Sequence, residues 1–327
     1  SVANDIGLPV WSDWGDDILN LHPSHPTYFA YVDKAAMRLN IERAIIMSKV
    51  ASVATDTMRE EWPLSDQVIV LPDECRMKAW PNERKKVISW RGMATHTEDV
   101  ETVLPQLLNV AADPLFADWR FLLMGDPPSK LWNGLAIACG ENPDLVFESK
   151  GKRVMLCKYL PTVNELYAWW GTFAPYIHIV PLADTKFNKG KSPNAWLEAT
   201  GIGAAVIAPD FLSEWDLPGV LKYSAGQLDF NGKENFESVL RRAMASWMKH
   251  PEQPTDEKEF QERGHIHNAV MLSRERVYPD WTTEGVNRKR WAILNKLMGK
   301  PVMEAGPTRI NVLEDFTTPV PGAAANP

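Results

Sequence analysis

Cysteine is scarce in this chain: Cys75, Cys139 and Cys157 are the only three in 327 residues. An odd count, widely spaced and without a CxxC pair, excludes a disulfide framework and a zinc knuckle, and predicts reduced thiols in a cytoplasm. No run approaches the roughly 18 apolar residues of a membrane span. Basic charge is in deficit, with 35 Lys and Arg against 42 Asp and Glu, a net charge of −7 and a pI near 5.6. That balance supplies no overall basic field for nucleic acid or an anionic membrane, and leaves room only for a local basic groove. No Gly-x-Ser-x-Gly elbow, Walker loop or G-x-G-x-x-G occurs, which argues against hydrolase, NTPase and NAD-enzyme readings. The opening S-V-A-N-D-I-G-L-P has neither the basic nor the apolar region of a signal peptide, and no initiator methionine, so it reads as the start of a fragment.

Apolar residues make up 45% and charged residues 24%, the balance of a globular protein with a sizeable core. Before Glu83 there is an acidic loop (Asp13 to Asp17), a helical stretch from about Tyr28 to Met47, and two short strands, V-A-S-V-A-T and Q-V-I-V-L-P. From Val87 strands and helices alternate. Strands are predicted at 87–90, 119–125, 153–157, 177–180 and 204–207, with helices at 163–170 and 193–200 between them. Val100, Val103, Leu104, Leu107, Leu108 and Ala111 fall at helical spacing, and Thr95 with Glu98 reads as a capping box opening that helix. This alternation predicts a doubly wound, mostly parallel Rossmann-like sheet that binds ligands at the carboxyl ends of its strands. Helices are expected at 234–249, 257–273 and 286–298, then a Pro/Ala-rich tail, extended or disordered. Most of the 14 tryptophans are expected in or beside the core.

Two loops carry chemistry. The strand V-I-S-W ends in Arg91 and Gly92 just before a helix, with His96 at its mouth. One reading is a plain βα turn in which Gly92 supplies an unusual backbone angle and Arg91 is solvated. The other is an anion site built from a helix N-terminus, a glycine and a cation. The second loop, after the strand ending at Pro181–Leu182, carries Asp184, Asn188, Lys189, Gly190, Lys191 and Ser192, and Ser192 is read as N-cap of a helix opening at Pro193. Glu198 follows inside that helix, placed to accept hydrogen bonds from vicinal hydroxyls. Two cation-bearing helix starts on one sheet edge suit a diphosphate plus a ribose.

The motif S-W-R-G-x(3)-H-x(2)-D (Ser89, Trp90, Arg91, Gly92, His96, Asp99) resembles the opening of the C-terminal domain of bacterial and phage GT-B glycosyltransferases of the family 4 type. P-L-x-D-T-x-F-N-x-G-K-S-x(5)-E, Pro181 to Glu198, is similar to their nucleotide-sugar segment, and P-V-W-S-D-W-G-D-D resembles a strand end near the close of their N-terminal domain. The likeness runs from about Gly7 to Met298. It implies that Glu198 holds the ribose of a nucleotide-diphosphate-sugar donor and that Arg91 and Lys191 stabilise the diphosphate leaving group. Asn188, Ser192, Gly92, Asp184 and His96 would help form the donor cradle, with no metal required. Breaking a glycosyl–phosphate bond develops negative charge that fixed cations and helix dipoles stabilise.

The chain departs from that pattern twice. Retaining relatives often carry a first glutamate where Gly190 stands here, and only about eighty residues precede the Arg91 domain, too few for a whole acceptor domain. The expected layout is therefore residues 1–82 closing an N-terminal acceptor-side domain, 83–275 a nucleotide-sugar-binding domain, 276–300 a helix crossing back with Trp281 and Trp291, and 301–327 the tail. The acceptor is unidentified, and a further chain or segment would complete the N-terminal domain. Alternatives are a non-catalytic binding or structural subunit, a nucleotide-sugar epimerase, and a phage enzyme glycosylating modified DNA bases. Asp13, Asp16 and Asp17 with His22 and His25 invite a divalent cation, but capping or inter-domain contacts explain them equally. His265 and His267 cannot share a helix face, and Arg288–Arg290 reads as a solvated face.

Overall fold

The computed structural model describes residues 9–23, 28, 34–74, 84–144, 152–157, 163–212, 217, 219–224, 234–247 and 281–299. Cys75, His25, the helix expected at 257–273 with His265 and His267, and the tail lie outside them.

The N-terminal part forms a three-stranded parallel sheet in the order β1 (Trp11–Trp14), β2 (Val50–Val53), β3 (Val68–Val70). Helices α1 (Lys34–Met47) and α2 (Asp56–Glu61) cover it, burying Ile41, Ile45, Val53, Met58 and Trp62 together. The acidic loop of the sequence reading is in part strand. Trp14 and Asp13 belong to β1, where the Ser52 hydroxyl donates to Asp13 Oδ1 at 2.5 Å.

The second sheet has six parallel strands in the order β6-β5-β4-β7-β8-β9. They are β4 (Lys85–Gly92), β5 (Arg120–Gly125), β6 (Val154–Cys157), β7 (Pro175–Ile179), β8 (Ala205–Pro209) and β9 (Val220–Tyr223). Strand order runs outward from β4 in one direction and from β7 in the other, so the topological switch falls between them, where open α/β sheets bind ligands. Helices cover both faces, as the near-continuous apolar strands require. Ile88, Trp90, Phe121 and Leu123 face α4 (Leu104–Ala112), α5 (Ser129–Ala138) and α9 (Phe236–Ala245). Val87, Leu122 and Met124 point the other way, towards α6 (Val163–Thr172) and α8 (Asn194–Ile202). Trp62, Trp90, Trp119, Trp170 and Trp196 are buried, but Trp291, on α10 (Thr283–Leu297), is 61% exposed. Trp281 meets Trp196 edge-on at 5.7 Å.

Three local expectations are corrected. The helix read through 100–111 is two, α3 (Thr97–Glu101) and α4, because Pro105 can enter a helix only in its first turn. The capping box is absent: a 3-10 turn at Ala94–His96 precedes α3, and no side chain caps it. Ser192 is not the N-cap of α8; Pro193 is, and the Ser192 side chain hydrogen-bonds with Asp73 instead. Strand β9 and the short helices α2 and α7 (Lys186–Lys189) escaped the periodicity reading because four to six residues are too few to show a period, and helix α5, whose Leu131 and Leu135 stand one turn apart, was not anticipated either.

Candidate functional site

The two sequence loops meet at the switch point. Arg91, at the end of β4, and Glu198, in α8, form an ion pair at 2.5 Å, with 34% and 16% of their side chains exposed. Burial pushes the Glu198 carboxyl up in pKa, and the guanidinium of Arg91 opposes that shift. Neither residue is a solvated surface charge, which removes the plain reading of Arg91.

Gly92 is required, though for another reason than the one read from its turn. Its φ is not among the positive ones, but a Cβ there would lie 2.6 Å from the Trp90 ring and 3.2 Å from His96. The left-handed residue is the neighbouring Gly125 (φ +96°), where a Cβ would stand 2.2 Å from the Gly92 carbonyl oxygen. That oxygen accepts from the Asp126 amide at 3.1 Å, so the ends of β4 and β5 are locked together beneath the crevice.

Beside the ion pair, Asp16, His22, Thr95, His96, Glu98, Asp99, Thr185, Phe187, Asn188 and Lys191 line a cavity of about 170 Å³. Asp99 organises it. Its carboxylate accepts from His96 Nδ1 at 2.7 Å, from the Ala183 amide at 2.8 Å and from Asn188 Nδ2 at 2.8 Å. Burial pushes its pKa up, but the bonds from His96 and Ala183 and the charge of Lys191 outweigh that and hold it below the ordinary value. An ionised Asp99 requires the proton on His96 Nδ1, so the neutral ring keeps its lone pair on Nε2. Lys191 stands 5.1 Å from the centre of the Phe187 ring; desolvation lowers its pKa while Asp99 and Asp16 pull it back up.

Of the eight predicted residues, His96, Asn188 and Lys191 line this cavity, and Arg91, Gly92 and Glu198 adjoin at the strand end. Asn188 is buried with both amide hydrogens engaged, on Asp99 and on the Ala183 carbonyl at 2.9 Å, so it positions other groups. Asp184 is exposed and pairs with Lys189 at 2.7 Å, outside the cavity lining. Sequence reasoning quoted Asp99 without a role; its place three residues after His96 at a helix start was the available signal. Asp73, which hydrogen-bonds with the side chains of Ser192 and Asn194 at the start of α8, had no local signal at all.

The N-terminal part closes over the same loop. The Thr55 hydroxyl donates to the Gly190 carbonyl at 3.0 Å, and a Cβ on Gly190 would meet Asp17 and Met58 at 3.3–3.4 Å. A side chain there would need the buried Asp17 carboxylate to give by a few tenths of an ångström, which glycine avoids. Asp17 accepts from Asn20 at 2.7 Å and from Trp62 at 3.3 Å within the N-terminal part, and His22, beyond the acidic loop, pairs with Glu98 of the second part at 2.9 Å. No group of acidic, histidine or cysteine side chains suited to a metal ion occurs among the described residues. Cys139 and Cys157 are free thiols pushed up to about 11 by burial, far from the thiolate form. No helix among those residues is long and apolar enough to cross a membrane.

No protein-family profile and no curated protein matches the chain. Among solved structures, a UDP-forming α,α-trehalose-phosphate synthase from Burkholderia xenovorans, in complex with glucose-6-phosphate, aligns with TM-score 0.51 and 11% identity over 91% of this chain and 70% of that one. The pneumococcal O-GlcNAc transferase GtfA, in complex with UDP and GlcNAc, aligns with TM-score 0.51 and 11% identity over 82% of this chain. TarM of S. aureus, in complex with UDP among other ligands, gives TM-score 0.47 and 12% identity over 79% of this chain. This chain spans 48% of GtfA and 46% of TarM, about half their lengths. With the six-stranded switch-point sheet and the second parallel sheet beside it, the two alignments at 0.51 establish that the chain has the GT-B fold.

Proposed function

We propose that this chain is the donor-binding part of a glycosyltransferase that moves a sugar from a nucleoside-diphosphate sugar to an acceptor hydroxyl. The observation that carries the reading is the Arg91–Glu198 pair at the switch point, with Lys191 on the neighbouring loop. In this reading Glu198 turns to the ribose hydroxyls, which frees Arg91 to join Lys191 on the diphosphate. Both cations then face the charge that grows on the leaving group, where fixed positive charge lowers the barrier most. His96, aligned by Asp99, presents Nε2 towards the transferred sugar. Asp73 stands where a phosphate oxygen would replace it on Ser192 and Asn194. The UDP named with GtfA makes a uridine donor the first to test.

A binding subunit without turnover is the competing reading. Isothermal titration of UDP, GDP, ADP and CMP into the chain and into Glu198→Ala tests the donor site under both. Micromolar binding of one nucleotide, lost in the variant, is the expected result. Absence of binding by all four overturns it. Release of free sugar from the matching donor then separates transferase from binding subunit.

A further inference from the structure

At the opposite edge of the six-stranded sheet lies a groove of about 570 Å³ that the donor site does not use. It is lined by four cationic side chains, Arg84, Lys85, Lys86 and Arg120, and by one carboxylate, Asp118. In a chain of net charge −7 this is a local reversal of sign. Asp118 neutralises only Lys86, with which it pairs. The Lys85 ammonium meets a neutral carbonyl, that of Thr172, at 2.9 Å, and Arg120 has no ion-pair partner among the described residues. Lys85 and Arg120 thus carry the exposed positive charge of the groove, whereas Arg84 is 2% exposed with its guanidinium 5.5 Å from the centre of the Tyr176 ring.

The remaining lining is apolar. Val87 and Met155 are buried beneath it, and Phe173 and Trp247 are half-buried at its sides, with Lys86 Nζ 4.4 Å from the centre of the Trp247 ring. A fully hydrated inorganic anion would gain nothing from those surfaces, whereas a ligand with phosphates at one end and a flat ring at the other would use both. Guanidinium planes and aromatic side chains accept stacked bases, and the volume lies in the ordinary range for a bound small molecule. We propose that this groove binds a nucleotide unit, with phosphate on Lys85 and Arg120 and base over the apolar floor. The unit is either a free nucleotide or part of a single strand. Six residues of β4 separate Lys85 from Arg91, about 20 Å at the rise of a strand, so the groove is separate from the donor crevice.

The test is binding of three probes: a short fluorescein-labelled oligothymidylate by anisotropy, and ATP and inorganic triphosphate by calorimetry. Each is run on the wild-type chain, the charge reversal Lys85→Glu/Arg120→Glu, and Arg91→Ala. Both reversed side chains are exposed, and melting curves check that the variant is folded. The oligothymidylate or ATP should bind with an affinity that falls as salt rises. The reversal should weaken it at least about tenfold, while Arg91→Ala, which removes only binding in the donor crevice, leaves the groove component in place. Binding by the oligothymidylate alone assigns a single strand, and by ATP a free nucleotide. Three results overturn the proposal: no binding of either nucleotide probe, triphosphate bound as tightly as ATP, or binding that Arg91→Ala removes and the reversal does not. The last would transfer the signal to the donor crevice and leave that reading intact.

Discussion

Acidifying the folded chain below pH 6.5 is expected to cost about 1.4 kcal/mol of stability per pH unit through His178 alone. Burial in β7 pushes this ring down to about 3, with the Arg91 charge adding to the effect and a Ser89 backbone bond opposing it. The unfolded ring takes up a proton near 6.5 and the folded ring only near 3. Across that window the unfolded state binds more protons, so stability rises with pH and is lost as pH falls. The ring packs 4.9 Å from Trp170 and hydrogen-bonds with the Ser89 hydroxyl at 3.0 Å. Urea midpoints measured from neutral pH to pH 4 for wild type and His178→Gln check the expectation. The variant should lose that slope while keeping the slope of the carboxylates common to both proteins. Parallel curves would mean that His178 charges without unfolding the sheet.

Removing one partner of the Arg91–Glu198 pair should cost more than removing both. With Arg91 gone, a carboxylate that is 16% exposed keeps its desolvation without its cation, a loss of roughly 2–3 kcal/mol after allowing for the one-third exposure of the guanidinium. In the double variant Arg91→Ala/Glu198→Ala no buried charge remains, and about half of the loss should return. A double-mutant cycle in urea measures the coupling. Additive single effects would show two independent side chains. For binding the pattern differs: all three variants should lose the nucleotide, because in the proposed donor site Glu198 takes the ribose and Arg91 the diphosphate.

Legibility followed the range of the interaction. Strands β4, β5, β7 and β8 are short apolar runs whose residues are buried on both faces, and periodicity located them to within a few residues. Arg91, Lys191 and Glu198 stood out because two cation-bearing loops fall on one sheet edge and their motifs resemble those of the GT-B family. Strand β9 was invisible because four residues are too few to show a period, whereas helix α5 does carry Leu131 and Leu135 one turn apart, a signal that was available and not read. The cap predicted at Thr95 failed because a local 3-10 turn precedes the helix, and the one at Ser192 because Asp73, distant in the chain, hydrogen-bonds with its side chain.

By itself the sequence determined the alternation of strand and helix, the parallel sheet it implies, and the two loops that carry charge, since each depends on residues near one another in the chain. Tertiary structure alone decided which groups face which. Arg91 and Glu198 are 107 residues apart, Asp99 and Asn188 are 89 apart, and Thr55 reaches Gly190 across 135. The close seating that makes glycine necessary at position 92 likewise depends on where the Trp90 and His96 side chains settle. Chain-local propensities act over a few residues, whereas a buried carboxylate takes its partners from whatever element folding brings within 3 Å of it.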